Sequence, residues 1–352
     1  MSNGPVVFVL ASSAGGVGRH VVQLCAGLRA DGVDVRVAAP AETLRRFAFD
    51  AATTAVEIGA SLDPVRDLRA VAALRAALHA VPGALVHAHG VRAGLVAALA
   101  VGRRTPFVVT LHNAVLGAGP RARLGLGVLR VVCRRADVVL GVSEDLVQIA
   151  RALGARTAER ALVPAPELPA GEATRGRAVL GEGPVALAVA RLAPQKGLPT
   201  LLDVADRLTL GRIVVVGEGP LHDELAARVR DERLPVTLVG RRDDVADLLA
   251  AADVALSTSL WEGQPVFVQE ALRAGVPVVA TDVGGTREVT GDAAVLVPVG
   301  DPRAFADALD ALLGDPAARE DRGRRSAARA ARLPDAAAAL AQVRGVHDRL
   351  RS

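Results

Sequence analysis

Tyrosine is absent from these 352 residues, aromatics make up only 2%, and of the 42 Lys and Arg residues a single one, Lys196, is lysine. The aromatic shortage excludes a core built on rings. With 51% hydrophobic residues, the interior is expected to be aliphatic, mostly Ala, Val and Leu. It also argues against nucleic acid as a partner, because no aromatic side chains interleave with the arginines to stack on bases. The two cysteines, Cys25 and Cys133, lie far apart and show neither CxxC nor metal spacing. They are expected as buried free thiols in a reducing compartment. No apolar run reaches the ~18 residues of a spanning helix, and the opening MSNGPVVFVLASSAGG has no basic n-region of a signal peptide. The expectation is a cytoplasmic protein. A net charge of +4, carried almost wholly by arginine, suits an anionic substrate or an anionic membrane surface.

What the chain does have is a regular alternation. Short apolar runs at Pro5–Leu10, Val33–Ala38, Leu85–His87, Phe107–Leu111 and Val138–Val142 are separated by amphipathic stretches. A second series follows at Val185–Ala190, Ile213–Val216, Val236–Val239, Val254–Leu256, Val276–Ala280 and Ala294–Val297. Continuous apolar strands separated by helices predict parallel sheets covered on both faces. The rhythm breaks once, around Val163–Pro184, where Pro, Gly and charge collect without periodicity. This predicts an N-terminal domain over 1–165, a linker over 166–183 and a second domain over 184–330. A helix over 331–352 is expected to pack back on the first domain. Each domain is expected to be doubly wound, with the ligand at the carboxyl edges of the strands.

The stretch STSLWEGQPVFVQEALRAGVPVVATDVGGTRE, Ser257–Glu288, carries most of the chemistry. Glu262 and Glu270 stand with seven residues and no acid between them. Pro265 suits the start of a helix and Gly275 its end, which places Glu262 in a loop and Glu270 in the helix. The helix mouth would offer the N–H groups of Val266 and Phe267 to an anion. A phosphate there leaves one carboxylate on each side for hydroxyls, a geometry that fits a sugar nucleotide. Lys196 lies five residues after Arg191 in ARLAPQKG, a strand-to-helix turn. A compact ammonium kept in an arginine-rich chain reads as a phosphate ligand.

Other features are less specific. Gly15, Gly16 and Gly18 precede a helix starting near Val17, and their backbone would admit a phosphate. GxGxxG is absent, since no glycine follows in register after Gly16 and Gly18, which lowers a nicotinamide-nucleotide reading. His87 and His89 end one strand on one face, and His112 ends the next. No third ligand is spaced to make a metal site of them, so His87 and His89 read as packing or function and His112 as a ligand contact. Ser143 reads as an N-cap. Gly217 and Gly219 mark a turn that faces the ligand or merely bends the chain. The arginines Arg121, Arg123, Arg130, Arg134 and Arg135 lie on a basic amphipathic helix. Such a helix suits anionic lipid or ordinary core packing.

In GGVGRHV, TLHN, ADVVLGVSE, ARLAPQKG, VVVGEGPL and WEGQPVFVQEALRAGVPVVATDVGG the chain resembles the retaining glycosyltransferases of family 4. The resemblance runs over nearly the whole chain. It implies the GT-B fold: α/β, with two doubly wound Rossmann-like domains facing each other across a cleft. It implies that Arg191 and Lys196 hold the donor diphosphate, and that Glu262 binds sugar hydroxyls. The backbone of Gly263, Gln264, Pro265, Val266 and Phe267 would surround sugar and phosphate, and Glu270 would hold the ribose diol. Gly16 would let the first domain close over the diphosphate, Gly217 would contact the donor, His112 would meet the sugar, and the base would rest near Gly240 and Arg241. Two positions depart from the family's pattern. Val163-Pro164-Ala165-Pro166 stands where an Asn-Gly pair is common, and Gly18 stands where an acid is common.

The leading expectation is therefore a retaining, metal-independent transferase. It would use a UDP- or GDP-sugar as co-substrate, with no other cofactor, and a glycan, lipid or small molecule as acceptor. A nucleotide-sugar epimerase of the same fold and an inactive sugar-nucleotide-binding homologue are the alternatives.

Overall fold

The computed structural model describes residues 4–13, 15–114, 117 and 119–352, apart from the side chain of Arg121. The chain divides into two compact units, Met1–Pro164 with Pro334–Ser352, and Ala165–Leu333.

The first unit is built on β1 (Val6–Leu10), β2 (Val35–Ala39), β3 (Ala52–Ala55), β4 (Leu85–His89), β5 (Phe107–Leu111), β6 (Val138–Gly141) and β7 (Ala158–Arg160). They form one sheet in the order β3-β2-β1-β4-β5-β6-β7, parallel at every pairing. The central strands β1, β4 and β5 are buried along their whole length, as continuous apolar sequence in a doubly covered sheet requires. The two edge strands have no such sequence. β3 is ATTA and exposed throughout, and β7 is the three-residue AER, so neither stands out as an apolar run. Strand order in the sheet reverses between β1 and β4, the place where doubly wound sheets bind ligands.

The helix Ala336–Arg349 belongs to this unit. Asp335 caps it by accepting from Ala338 N at 2.7 Å. Gln342 fastens it to the far edge of the sheet, accepting from Leu162 N at 2.9 Å and donating to Arg160 O at 2.6 Å. Arg349 reaches Glu159 at 2.7 Å. Ser143 does sit at an N-cap position, but its hydroxyl bonds Asp145 and not a helix N–H. Asp145 Oδ1 instead accepts from Leu146 N at 2.8 Å. Both cysteines are free and buried.

The second unit holds β8 (Val185–Val189), β9 (Arg212–Val216), β10 (Val236–Leu238), β11 (Val254–Ser257), β12 (Val278–Thr281) and β13 (Val295–Val297). Their order is β10-β9-β8-β11-β12-β13, again parallel. Successive residues of β8 serve opposite faces, as strand period two demands. Ala186 and Ala188 join a core layer with Leu201, Leu202, Phe305 and Leu309, while Val185 and Leu187 join Leu248, Leu249, Val268 and Leu272. Burying each of these Leu or Phe side chains contributes roughly 1.5–3 kcal/mol, so the strand edges rest on a firm base.

The stretch 166–183, expected as a linker, lies within this unit and carries the helix Ala173–Leu180. Asp247 accepts from Glu172 N at 2.7 Å and from Arg175 Nε at 2.9 Å, and Leu180 is buried. Two turns of helix give too short a pattern for periodicity to register.

Candidate functional site: the carboxyl edge of the second sheet

Four neighbouring strands of the second sheet deliver the expected donor-side residues to one edge. Arg191 and Lys196 follow β8, Gly217 follows β9, Gly240 and Arg241 follow β10, and Glu262 follows β11. Between β8 and β11 the strand order reverses, which is where an open α/β sheet leaves a crevice beyond its carboxyl ends.

The turn after β8 is a short 3-10 helix, Pro194–Lys196, closed by Gly197 at φ +60°. A Cβ at Gly197 would stand 2.0 Å from Thr258 O, so only glycine lets this turn lie against the loop after β11. The two segments are then laced together. Leu260 N donates to Gln195 O at 2.8 Å, Gln195 Nε2 to Trp261 O at 3.1 Å, and Thr258 Oγ1 to Lys196 O at 3.2 Å. With both backbones fixed, Lys196 Nζ meets Glu262 Oε1 at 2.6 Å, and Ser259 Oγ donates to the same oxygen at 2.5 Å. Glu262 is only 7% exposed, so this charge is compensated by two donors, as a buried carboxylate must be. Glu262 Oε2 has no partner among the described residues, and it is not one of the fully buried unpaired atoms. From below, Gly285 N donates to Glu262 O at 2.8 Å. Gly284, at φ +47°, comes so close that a Cβ would lie 2.0 Å from that oxygen.

The helix after Glu262 runs Val266–Arg273, with Pro265 at its N-cap and no side-chain cap. The N–H groups of Val266 and Phe267 have no partner among the described residues, so the positive end of the helix faces outward. Glu270 is buried on the second turn. Gln269 Nε2 donates to Gln264 Oε1 at 3.1 Å and its Oε1 accepts from Ala165 N at 2.9 Å. The first bond holds the loop Gly263–Pro265 to the helix, and the second ties Ala165 to it. Arg191 is exposed, and its guanidinium has no hydrogen-bond or ion-pair partner among the described residues. Arg241 is exposed and pairs with Asp243 at 3.2 Å. Gly217 N donates to Gly240 O at 2.8 Å, tying the ends of β9 and β10.

In the first unit, the helix Gly16–Ala30 starts at Gly16 without a side-chain cap or an acid in its first turn. His20 on this helix joins a group of buried histidines with His87, His89, His112 and His347. His89 Nδ1 lies 3.0 Å from His112 Nε2, and the two rings stack with centroids 5.3 Å apart. His87 Nδ1 lies 3.1 Å from His347 Nε2, and its Nε2 is 2.8 Å from Thr110 Oγ1. Burial pushes the imidazoles down, His20 to about 4 and His112 and His347 to about 3. His87 and His89 also fall well below the ordinary value, through burial and then their histidine neighbours. Among the described residues no group of three or more His, Cys, Asp or Glu is placed to hold a metal ion.

Residues 183–315 match the family described as Glycosyl transferases group 1, and residues 15–166 match the Glycosyl transferase 4-like domain. A D-inositol 3-phosphate glycosyltransferase of Xylanimonas cellulosilytica is 33% identical over 311 residues, 77% of this chain and 74% of its own length. Its namesake in Kribbella flavida is 34% identical over 72% of this chain and 69% of its own length. The chain belongs to the group 1, family 4 glycosyltransferases. Its fold is GT-B. Sucrose-phosphate synthase of Thermosynechococcus elongatus superposes with a TM-score of 0.81 at 22% identity, over 98% of this chain and 99% of that one. HepE of Anabaena, solved with UDP-glucose, gives 0.80 at 20% identity, over 97% and 99%.

Several polar groups of this glycosyltransferase escape a reading of its sequence. Ser259, Gln195 and Thr258 position Lys196 and Glu262, and the signal they leave is only a Ser-Thr-Ser run at a strand end. His20 and His347 join His87, His89 and His112 from distant parts of the chain, and nothing in their local sequence announces it. No helix among the described residues of the glycosyltransferase is long and apolar enough to cross a membrane.

Proposed function

We propose that this glycosyltransferase moves a sugar from a UDP- or GDP-sugar to a hydroxyl acceptor, with retention at the anomeric carbon and without a metal ion or other cofactor. The observation that carries the reading is the grouping of Arg191, Lys196 and Glu262 at the point where strand order reverses in the second sheet. Arg191 and Lys196 take the diphosphate. Charge building on the leaving phosphate then meets fixed cations and the uncapped N–H groups of Val266 and Phe267, the role that a metal fills elsewhere. Glu262 offers Oε2 to sugar hydroxyls, and the backbone of Gly263, Gln264 and Pro265 lines sugar and phosphate. Glu270 takes the ribose diol, a carboxylate being a bidentate acceptor. Gly217 stands near the diphosphate and Arg241 near the base. In the first unit Gly16 is assigned to the diphosphate and His112 to the donor sugar.

The enzyme is proposed to work in the cytoplasm. Its basic helix Pro120–Arg135 exposes Leu124, Leu126 and Val131, a pattern suited to the inner face of a membrane.

The test is incubation with UDP-, GDP- and ADP-sugars, UDP-glucose among them, with and without acceptors. D-inositol 3-phosphate is the first acceptor to try, from the names of the relatives. Acceptor-dependent nucleotide release with an α-configured product from an α-configured donor supports the reading. An isomerised sugar nucleotide, or binding without turnover, overturns it. A chelator that abolishes turnover overturns metal independence.

A further inference from the structure

The contact between His89 Nδ1 and His112 Nε2, 3.0 Å long, holds one proton, and the structure determines which ring supplies it. Burial keeps both imidazoles neutral, so each ring carries a single N–H. His89 Nε2 is buried and has no partner. Were the shared proton to come from His112, the proton of His89 would sit on Nε2 as an N–H donor orphaned in the interior. Orphaned buried N–H groups are rarer and more costly than unfilled lone pairs. His89 Nδ1–H therefore donates, and Nε2 of His112 accepts. The proton of His112 must then be on Nδ1. That atom has no partner among the described residues, and it is not among the buried unpaired atoms.

The same reasoning orders the neighbouring pair. His347 Nδ1 is buried and unpaired, so His347 Nε2–H donates to His87 Nδ1, and His87 Nε2–H donates to Thr110 Oγ1. His87 stacks on His89 with centroids 4.5 Å apart, and His20 sets its edge against His89 and His112 at 5.8 and 6.0 Å. The ring of His89 is thus held on three sides.

We infer that His89 is a positioning residue that locks His112 in the Nδ1–H tautomer, so that His112 offers the donor sugar a neutral hydrogen-bond donor and not a base. The inference rests on the proposed role of His112 at the sugar. An Nδ1–H binds a sugar oxygen as a donor only. The opposite tautomer would leave a lone pair there and take a hydroxyl proton.

The decisive measurement is a long-range proton–nitrogen correlation of the imidazoles in the full-length, nitrogen-15-labelled enzyme at neutral pH. A protonated Nδ1 and bare Nε2 on His112 are expected, and a protonated Nε2 on His112 overturns the inference. Variants add a kinetic readout. His89→Asn keeps an N–H donor where Nδ1 stood and should hold kcat within about threefold. His89→Asp presents an acceptor, reverses the tautomer, and should lower kcat at least about tenfold with little change in donor KM. Equal losses in two folded variants overturn the inference. Should the variants fail to fold, the wild-type spectrum still decides. Should the enzyme transfer no sugar, the proposed function fails while the tautomer remains measurable.

Discussion

Lys196 Nζ stands 2.6 Å from Glu262 Oε1, joining two segments 66 residues apart in sequence. The pair is partly shielded, with the lysine side chain 28% exposed and that of the glutamate 10%. Each charge holds the other in place, and Ser259 shares the load on the carboxylate. An ammonium has three protons, and Glu262 is its one side-chain partner among the described residues. Lys196 can therefore stay on Glu262 and still reach a phosphate.

Lys196→Ala is expected to lower kcat on the order of a hundredfold, the scale of losing one fixed charge at a developing oxyanion. Lys196→Arg should restore little, because a planar fork does not replace a point charge in the 3-10 turn. Steady-state kinetics on both variants check this, and near-normal turnover of Lys196→Ala would count against the diphosphate role.

Glu270→Ala should raise the nucleotide Kd about tenfold or more, the scale of hydrogen bonds to a charged group. Its melting temperature should move far less than its affinity. Isothermal titration with the free nucleoside diphosphate alongside a thermal melt separates the two; a large drop in melting temperature with unchanged Kd would make Glu270 structural.

Gly284→Ala is expected to destabilise the protein by about 1–3 kcal/mol, because an L-residue is strained at a positive φ and its Cβ would press on Glu262 O. Activity should fall with it, since Glu262 must shift. Urea unfolding of the variant, followed by circular dichroism, tests the first part.

Acid should unfold the chain well before its carboxylates matter. The five buried histidines have folded-state values below the ordinary 6.5, with His20 at about 4 and His112 and His347 at about 3. Below that ordinary value the unfolded chain binds protons that the folded one refuses. Stability is therefore fully present above pH 6.5 and is lost as pH falls toward 4 and then 3. The slope is on the order of 1 kcal/mol per pH unit for each histidine. Urea midpoints measured from pH 7.5 down to 4.5 should decline; a flat profile would mean the rings are hydrated.

Vesicles test the basic helix Pro120–Arg135. Binding to anionic vesicles should exceed binding to neutral ones and weaken with salt. Leu124→Ser together with Leu126→Ser should reduce it, and co-sedimentation reads it directly.

The grouping at the carboxyl edge of the second sheet is legible in the sequence because its parts lie in short unbroken stretches. Arg191 and Lys196 share one turn, and Glu262, Pro265 and Glu270 share one loop and helix. The central strands were equally plain, since burial on both faces leaves unbroken apolar runs. Edge strands β3 and β7 stayed hidden, as β3 is exposed along its whole length and β7 is only three residues with two charges. The helix Ala173–Leu180 stayed hidden because two turns next to Pro and Gly look like a linker. The histidine group was legible only in part: His87 and His347 are 260 residues apart, a distance over which local pattern carries no information.

Gln342 ties a helix made late to Leu162 and Arg160, made long before. Synthesis therefore passes through all of 165–333 before the first unit has its final helix. Ribosome-bound chains should carry a finished second sheet beside an N-terminal one still lacking a wall, with His87 awaiting its partner. Chaperones would meet that half-built stage, and truncation before Pro334 would make it permanent.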